Sequence, residues 1–343
     1  MDLDFSEDQE ALRVTLREFF EKESPPEAVR AAEPLGFDAG LWRKAVEMGL
    51  GAIAVPEERG GGGAGWVELA IAAECLGRTL APVPLVEAAV ANRLLASAPR
   101  AADLDPLVER AVGGEALATL ALHPVAGDVA RLVPAGAVAD IVVALRDDEL
   151  LAVPLADVPG EAVPNLGAMP IADRRLDGEG AAVLAKGPEA VAAHDRAVHH
   201  WRMLTGAALV GVAARALEIG LAYVMERRAF GVLIGGFQTI QHRLADNSTA
   251  LEGARLLAYK AAWAHDEGLP KAAELAAMSL LFASETAFRT ASDSLHFHGG
   301  YGYTLEYDIQ LYFRRAKAWP LVAGDPRAVY GQLPRRLYDA TEG

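Results

Sequence analysis

The sequence predicts a mainly α-helical protein in which two helical regions flank a small β region. Residues that favour helix, chiefly Ala, Leu, Glu and Arg, are abundant. Apolar residues recur at helical spacing in both end regions, and short apolar runs separated by Gly, Pro and Asp occupy the middle. The 343 residues are enough for two or three packed domains.

The first predicted domain covers residues 1–115 and is helical. Ser6 followed by Gln9 is typical of a capping box that opens a helix. Further helices are predicted at 39–49, 65–80 and 84–98. The apolar positions of the first helix are Leu12, Leu16, Phe19 and Phe20.

The single cysteine, Cys75, lies in the mostly apolar stretch 69–80. One cysteine allows neither an internal disulfide nor a cysteine-based metal site. We therefore expect Cys75 to be a small buried apolar residue.

The second predicted domain, 116–187, is a small β domain. Its apolar runs at 118–122, 141–145 and 150–153 are predicted strands, and its length allows only a modest sheet.

The third predicted domain, 188–343, returns to long amphipathic helices with short connections, which indicates an up-and-down bundle. Small residues at 206–208 and 211 favour close helix packing. The predicted apolar faces are Leu209, Val212, Ala213, Ala216, Gly220, Tyr223 and Val224 in one helix, Leu244, Leu251, Ala254 and Ala258 in the next, and Leu275, Met278 and Phe282 in a third.

The formal net charge of −15 argues against nucleic acid and anionic membranes as partners. A local Arg cluster can still bind an anionic cofactor, because salt screens distant charges and the cluster outweighs the global field at short range. The acidic N-terminus argues against a secretory signal, and no apolar stretch reaches about 18 residues. We therefore expect a cytoplasmic protein that does not insert into a membrane.

The first candidate site is the segment 227–231, RRAFG, followed by Gly236, Phe237 and Gln238 and by the helix opening at 241–246. An arginine at a helix end beside a helix N-terminus is suited to a pyrophosphate. The alternative is that the basic residues only complement the helix dipole and that glycine ends the helix.

The second candidate site is the segment 296–304, HFHGGYGYT. His296 and His298 are two residues apart and do not share a helix face, so we predict no metal site. Gly299 and Gly300 either end the helix or let a ligand approach the backbone closely.

Four ordered segments resemble the acyl-CoA dehydrogenase family. Segment 227–246 is similar to its R-x-x-F-G … F-Q-x-x-Q-x-x-L-A-D signature, and 296–317 to its H-G-G-x-G-Y-T … Y-R-x-A-K segment. Segment 55–61, VPEERGG, resembles V-P-E-E-Y-G-G, and 74–78, ECLGR, resembles E-E-L-G-R. The resemblance implies an all-α N-terminal domain, a central β domain, a C-terminal four-helix bundle and FAD bound across a subunit interface.

In this family the R-x-x-F-G arginine and the glycine pair bind the ADP half of FAD in a neighbouring subunit. The FAD contacts that the resemblance implies are Arg227, Phe230, Gln238, His296, Gly299 and Gly300. His296 stands where the family usually has Gln, and its ring offers fewer hydrogen bonds than an amide.

The family's catalytic base is missing. Acyl-CoA dehydrogenation needs a carboxylate to remove a proton beside the thioester carbonyl, and a positioned base contributes about 10²–10⁴ in rate. The two positions that hold it in the family correspond to Ala323 and Trp201. Asp325 is a weak candidate for a displaced base, since it also has the pattern of an N-cap; Glu306 and Asp308 are weaker still.

The central domain also departs from the family. The loop that approaches the flavin is reduced to 123–128, HPVAGD, and part of the following segment is missing before Leu132.

We therefore expect the β-type, non-catalytic subunit of a heteromeric acyl-CoA dehydrogenase. It would work with a second acyl-CoA dehydrogenase-like subunit, an acyl-CoA substrate and an electron-transfer acceptor protein. The alternatives are a self-sufficient homo-oligomeric enzyme that uses a displaced base such as Asp325, and a non-catalytic scaffold that keeps the FAD fold.

Overall fold

The computed structural model of the chain describes residues 4–338. Helices dominate, which confirms the predicted mainly α fold class. The three helices predicted near 39–49, 65–80 and 84–98 are present with ends shifted by two residues at most. The helices are α1 Glu7–Glu23, α2 Pro26–Ala31, α3 Ala39–Glu47, α4 Trp66–Thr79, α5 Leu85–Ser97, α6 Asp105–Val112, α7 Gly187–Glu226, α8 Gln238–Asp266, α9 Ala272–Phe297, α10 Ile309–Ala318 and α11 Pro326–Tyr338.

The β region is modest, and three of its strands coincide with the predicted segments 118–122, 141–145 and 150–153, with ends shifted by two residues at most. The strands are β1 Ala118–Leu120, β2 Val129–Val133, β3 Ile141–Arg146, β4 Glu149–Pro154, β5 Ala172–Arg175, β6 Ala182–Lys186, β7 Arg228–Ala229 and β8 Val232–Leu233. One sheet has the order β1-β3-β4-β6, with β1 parallel to β3 and the other pairs antiparallel. Strands β2 and β5 form a separate antiparallel pair.

Two compact units make up the chain. One contains the residues up to Glu27, then Ala70–Ala81, and the residues from Met203 onward; the other contains Ala28–Leu69 and Pro82–Arg202. This division joins segments that are distant in sequence. The three-domain division at 115 and 187 follows the sequence order instead and stays a prediction.

The capping box at the start of α1 is confirmed. The backbone N–H of Gln9 donates to Ser6 Oγ at 3.2 Å, and the backbone N–H of Ser6 donates to Gln9 Oε1 at 3.0 Å. Such a cap contributes about 1 kcal/mol of stability. Leu16 and Phe20 are fully buried, so α1 begins where the pattern predicts and buries the predicted face.

Cys75 on α4 is buried, as predicted. Burial raises the pKa of its thiol to about 12, so the side chain stays protonated at neutral pH.

Helix α7 packs closely through its glycines, as predicted. A Cβ on Gly206 would lie 2.5 Å from Ser279 Oγ of α9. A Cβ on Gly211 would lie 2.0 Å from the carbonyl oxygen of Glu74 on α4. Both distances are far shorter than a normal contact, so larger residues would force these helices apart.

The predicted apolar face of α9 is wrong. Phe282 is 37% exposed, and Leu275 and Met278 are only half-buried. The buried face is made mainly of small residues, including Ala276, Ala283, Ala287 and Ala291, with Leu280 and Leu281 beside them. Small side chains let α9 approach its neighbours closely, and this packing outweighs the larger apolar residues in deciding which face is buried.

Helix α7 is the one helix within residues 4–338 that is long and apolar enough to cross a membrane. More than half of its most apolar stretch, 56%, is buried inside the protein. Its composition therefore matches that of a core helix.

Candidate cofactor-binding site

The first candidate segment forms a tight hairpin directly after α7. Strands β7 and β8 pair with each other, and Phe230 and Gly231 connect them. Both connecting residues have positive φ, +53° and +82°, as a two-residue type I′ turn requires. A non-glycine residue in this conformation costs about 1–2 kcal/mol, so Phe230 holds its position against local strain.

Phe230 and Arg227 both point to the surface of their unit. Phe230 is 96% exposed. The Arg227 guanidinium is exposed and has no hydrogen bond or ion pair to any side chain that the structure describes. The Arg227 backbone is fixed by hydrogen bonds to Tyr223 and Ile234. The cation is thus on a well-anchored backbone and free to bind an anion.

The hairpin and the end of α9 lie against the same apolar cluster. Val224, Ile234 and Phe297 are its buried members, and Phe237 packs against them. Phe297 belongs to the second candidate segment, so the structure brings the two segments together at one end of the helical unit. Gln238, the first residue of α8, is exposed at the same end.

The two histidines of the second segment have different environments, as their spacing predicts. His296 is exposed, whereas His298 is buried, stacks on Tyr223 at 3.9 Å and shares a hydrogen bond with the Ser294 carbonyl at 2.7 Å. Burial lowers the pKa of His298, which favours the neutral ring. His298 is structural, and His296 is available to a ligand.

The glycine pair leaves open space beside the backbone. Gly299 has a φ of +61°, and a Cβ on either Gly299 or Gly300 would meet no atom within 4 Å. A ligand can therefore approach the backbone closely on this side of the two glycines.

These groups fit the ADP half of FAD by their chemistry. A guanidinium, an amide, an imidazole and open backbone N–H groups are donors suited to a pyrophosphate and to hydroxyl and ring acceptors. No group of three or more His, Cys, Asp or Glu side chains that could hold a metal ion is found in the described part of the chain.

Trp201 at one expected base position is completely buried. Its Nε1–H donates to Glu87 Oε1 at 3.2 Å, and Glu87 on α5 is itself only 8% exposed. The indole therefore holds the Glu87 carboxylate in a structural hydrogen bond. Sequence reasoning missed Glu87, although a lone acid among the apolar residues of 85–96 is a recognisable signal.

The other base candidates have exposed or structural positions. Ala323 is half-buried and ends the short 3₁₀ helix Trp319–Ala323. Asp325 is exposed, and its Oδ1 accepts a hydrogen bond from the Arg327 N–H at 2.9 Å, the capping role that its sequence pattern indicates.

Glu306 is exposed, and a hydrogen bond with Thr304 lowers the pKa of its carboxyl, which makes it a weaker base. Asp308 is half-buried directly before α10. Glu306 therefore lacks the raised pKa typical of a catalytic carboxylate.

In the β region, the short loop 123–128 runs directly into β2, which begins at Val129. Leu132 in that strand is 52% exposed and has a φ of +48°, and the register of β2 with β5 shifts before Val133. The strand is short and irregular at the place where the sequence lacks part of the family's segment.

The chain belongs to the acyl-CoA dehydrogenase family. Family models described as "Acyl-CoA dehydrogenase, N-terminal domain" and "Acyl-CoA dehydrogenase, C-terminal domain" match residues 6–100 and 191–333. This confirms the resemblance on which the sequence interpretation depends.

Individual relatives match over nearly the whole chain. Acyl-CoA dehydrogenase IpdE2 of Mycolicibacterium smegmatis is 32% identical over 336 residues, which cover 97% of this chain and 100% of that protein. Benzylmalonyl-CoA dehydrogenase of Aromatoleum aromaticum is 29% identical, with 94% and 96% covered.

Solved structures agree. The ChsE4-ChsE5 complex from Mycobacterium tuberculosis contains a chain with a TM-score of 0.87 and 26% identity over the full length of both chains. A chain of a variant of the Tcur3481-Tcur3483 steroid ACAD has a TM-score of 0.85 and 28% identity. The match covers 98% of this chain and 99% of that chain. FAD, the cofactor that the resemblance implies, is the cofactor of this family.

Proposed function

We propose that this chain is the non-catalytic subunit of a heteromeric acyl-CoA dehydrogenase and contributes contacts to the ADP half of FAD in a partner's site. The observation that carries the proposal is a contrast within one chain. Its FAD-contact residues are exposed and free to bind, while its two base positions hold a half-buried Ala323 and a fully buried Trp201.

An exposed apolar surface beside the candidate site supports a protein partner. Large exposed apolar patches on soluble proteins mark interaction surfaces. Large apolar and aromatic side chains close in sequence to the two candidate segments are 48% to 96% exposed: Leu221, Met225, Phe230, Val232, Tyr301, Tyr303 and Leu305.

Similarity to two-component structures gives independent support. Both the ChsE4-ChsE5 complex and the Tcur3481-Tcur3483 steroid ACAD have two different named components. We propose the same kind of assembly here, with a bulky or steroid-like acyl-CoA as substrate, an electron-transfer protein as acceptor and the cytoplasm as location.

In the assembled enzyme, bound FAD supplies the hydride acceptor for α,β-dehydrogenation. Arg227 offers two parallel N–H donors to a pyrophosphate, a contact worth about 1.5–3 kcal/mol. Gln238 and His296 add further N–H donors, and the open glycines give room for close approach. The partner contributes the carboxylate that removes the proton.

Reconstitution with a partner subunit that carries the family's base glutamate tests the proposal. Replacing the partner's glutamate by Gln is expected to abolish turnover, because the two positions that hold the family's base are Ala323 and Trp201 in this chain. Asp325→Asn in this chain is expected to leave turnover unchanged. Activity that survives the first change, or is lost with the second, would support the self-sufficient alternative instead.

A further inference from the structure

A cavity of about 540 Å³ lies within the unit formed by Ala28–Leu69 and Pro82–Arg202, and none of the predicted FAD contacts borders it. The end of α5, the first turns of α7, the start of α4 and strands β4 and β6 surround it. Its volume is in the range of small-molecule sites, about 300–1,000 Å³.

The cavity has a firm apolar wall. Trp66 is 6% exposed and stacks on the His200 ring at 3.9 Å, which fixes both rings. Leu94 and Leu184 are both 8% exposed and lie along the same cavity. A flat apolar body fits such a wall by stacking on the indole and packing on the leucines.

The charged lining is basic, although the whole chain is acidic. Arg93, Lys186 and Arg196 line the cavity together with a single carboxylate, that of Glu189. Lys186 is paired with Glu149 at 2.5 Å, and Arg196 is paired with Glu189 at 3.0 Å.

Arg93 differs from these two cations. Its side chain is half-buried, and its guanidinium has no hydrogen bond or ion pair to any residue that the structure describes. Its nitrogen atoms keep access to solvent in the cavity, so this guanidinium is open to an ionic hydrogen bond with a bound anion.

We propose that this cavity is a binding site for a small aromatic or polycyclic anion. The anionic group binds the guanidinium of Arg93, and the apolar body lies against Trp66, Leu94 and Leu184. The chemistry requires one anionic group on a flat apolar body, and either a carboxylate or a phosphate supplies it.

Isothermal titration calorimetry of the purified chain with 2-naphthoate and with 2-naphthyl phosphate tests this site. At least one anion is expected to bind, and the tighter one identifies the preferred group. The neutral 2-naphthalenemethanol is expected to bind at least about tenfold more weakly, because it forms no ionic hydrogen bond. Equal binding of the neutral probe, or no binding of either anion, overturns the proposal.

Variants locate the binding. Arg93→Met is expected to weaken anion binding by at least about tenfold, and Ala193→Leu, which fills the cavity from α7, is expected to weaken all three probes. The matched control Arg110→Met removes an exposed arginine of α6 that does not line the cavity and is expected to bind like the unaltered chain.

Arg227→Met separates this site from the candidate FAD contacts and is also expected to leave binding unchanged. Unaltered anion affinity in both Arg93→Met and Ala193→Leu would place the binding elsewhere and reject the assignment. The two variants use different side chains, so a folding defect in one leaves the other to decide.

Discussion

Arg227 is the residue on which the proposed FAD contact mainly depends. Arg227→Met keeps the aliphatic stem and removes the donors to the pyrophosphate. We expect FAD affinity of the assembled complex to fall by about 10- to 150-fold, which corresponds to an ionic hydrogen bond of 1.5–3 kcal/mol. Flavin retained after gel filtration, measured by absorbance, reports the loss.

The adjacent Arg228 provides a matched control. It is also exposed, but it lies in β7 and is not the arginine of the family's motif. Arg228→Met is expected to retain flavin like the unaltered complex. Equal losses in the two variants would mean that general positive charge, and not the guanidinium of Arg227, holds the cofactor.

The buried pair of Trp201 and Glu87 predicts a stability effect. Trp201→Phe leaves the Glu87 carboxylate without the indole donor and should lower the free energy of unfolding by about 1–3 kcal/mol, plus the cost of lost volume. The midpoint of urea unfolding measures it. The control Trp263→Phe, at a half-buried position of α8, should lower the free energy of unfolding by less. A loss at Trp201 that is smaller than the loss at Trp263 would contradict a structural role for the pair.

At the residue scale, sequence reasoning located groups whose chemistry is local. The capping box of Ser6 and the cap formed by Asp325 follow from spacing alone, and the structure has both. Sequence reasoning could not find the hydrogen bond between Trp201 and Glu87, because the two residues are 114 positions apart and only folding brings them together.

The turn of the β7–β8 hairpin is strained at Phe230, and the Phe230 side chain is exposed. Phe230→Gly relieves the positive φ of this residue and is expected to leave the thermal stability of the isolated chain unchanged or to raise it by up to about 1 kcal/mol. The same change removes a side chain that is 96% exposed, so we expect weaker assembly with the partner.

Differential scanning calorimetry of the chain and sedimentation of the complex measure the two effects separately. A variant that assembles normally would contradict a role for Phe230 at the interface. The family resemblance predicted the involvement of Phe230, but its strained conformation could not be predicted, because it depends on the pairing of β7 with β8.

Helix α8 carries a pH-sensitive group near its end. Burial lowers the pKa of His265 from its ordinary value of 6.5 to about 4. Between these pH values the unfolded chain binds more protons than the folded chain. The contribution of His265 to the free energy of unfolding is therefore fully present above pH 6.5 and is lost as the pH falls toward 4.

We expect His265→Gln to make the loss of stability between pH 6.5 and 4 less steep, since the titrating ring is gone. Urea midpoints at several pH values measure the slope. A slope identical to that of the unaltered chain would mean that His265 does not titrate differently in the two states.

At the element scale, most helices and strands could be predicted because their periodicity is clear. The face of α9 could not, since alanine carries little hydrophobic signal, and its burial follows from the glycines of α7 that allow close packing. The choice between faces is made by the neighbouring helix and not by α9 alone.

For the whole molecule, the family follows from four motifs spread over the chain, and the matched regions 6–100 and 191–333 contain all four. The end that carries the proposed FAD contacts is exposed and has several apolar side chains at its surface. These features support the proposal that another subunit completes the cofactor site.

The absorption spectrum of the purified chain, recorded alone and after mixing with a base-carrying partner subunit in the presence of FAD, tests the central claim most directly. After removal of free FAD, we predict no flavin band near 450 nm (roughly the position typical of bound flavin) for the chain alone and a stoichiometric band for the mixture. A full flavin band in the chain alone, together with turnover of acyl-CoA, would contradict the role of a non-catalytic subunit.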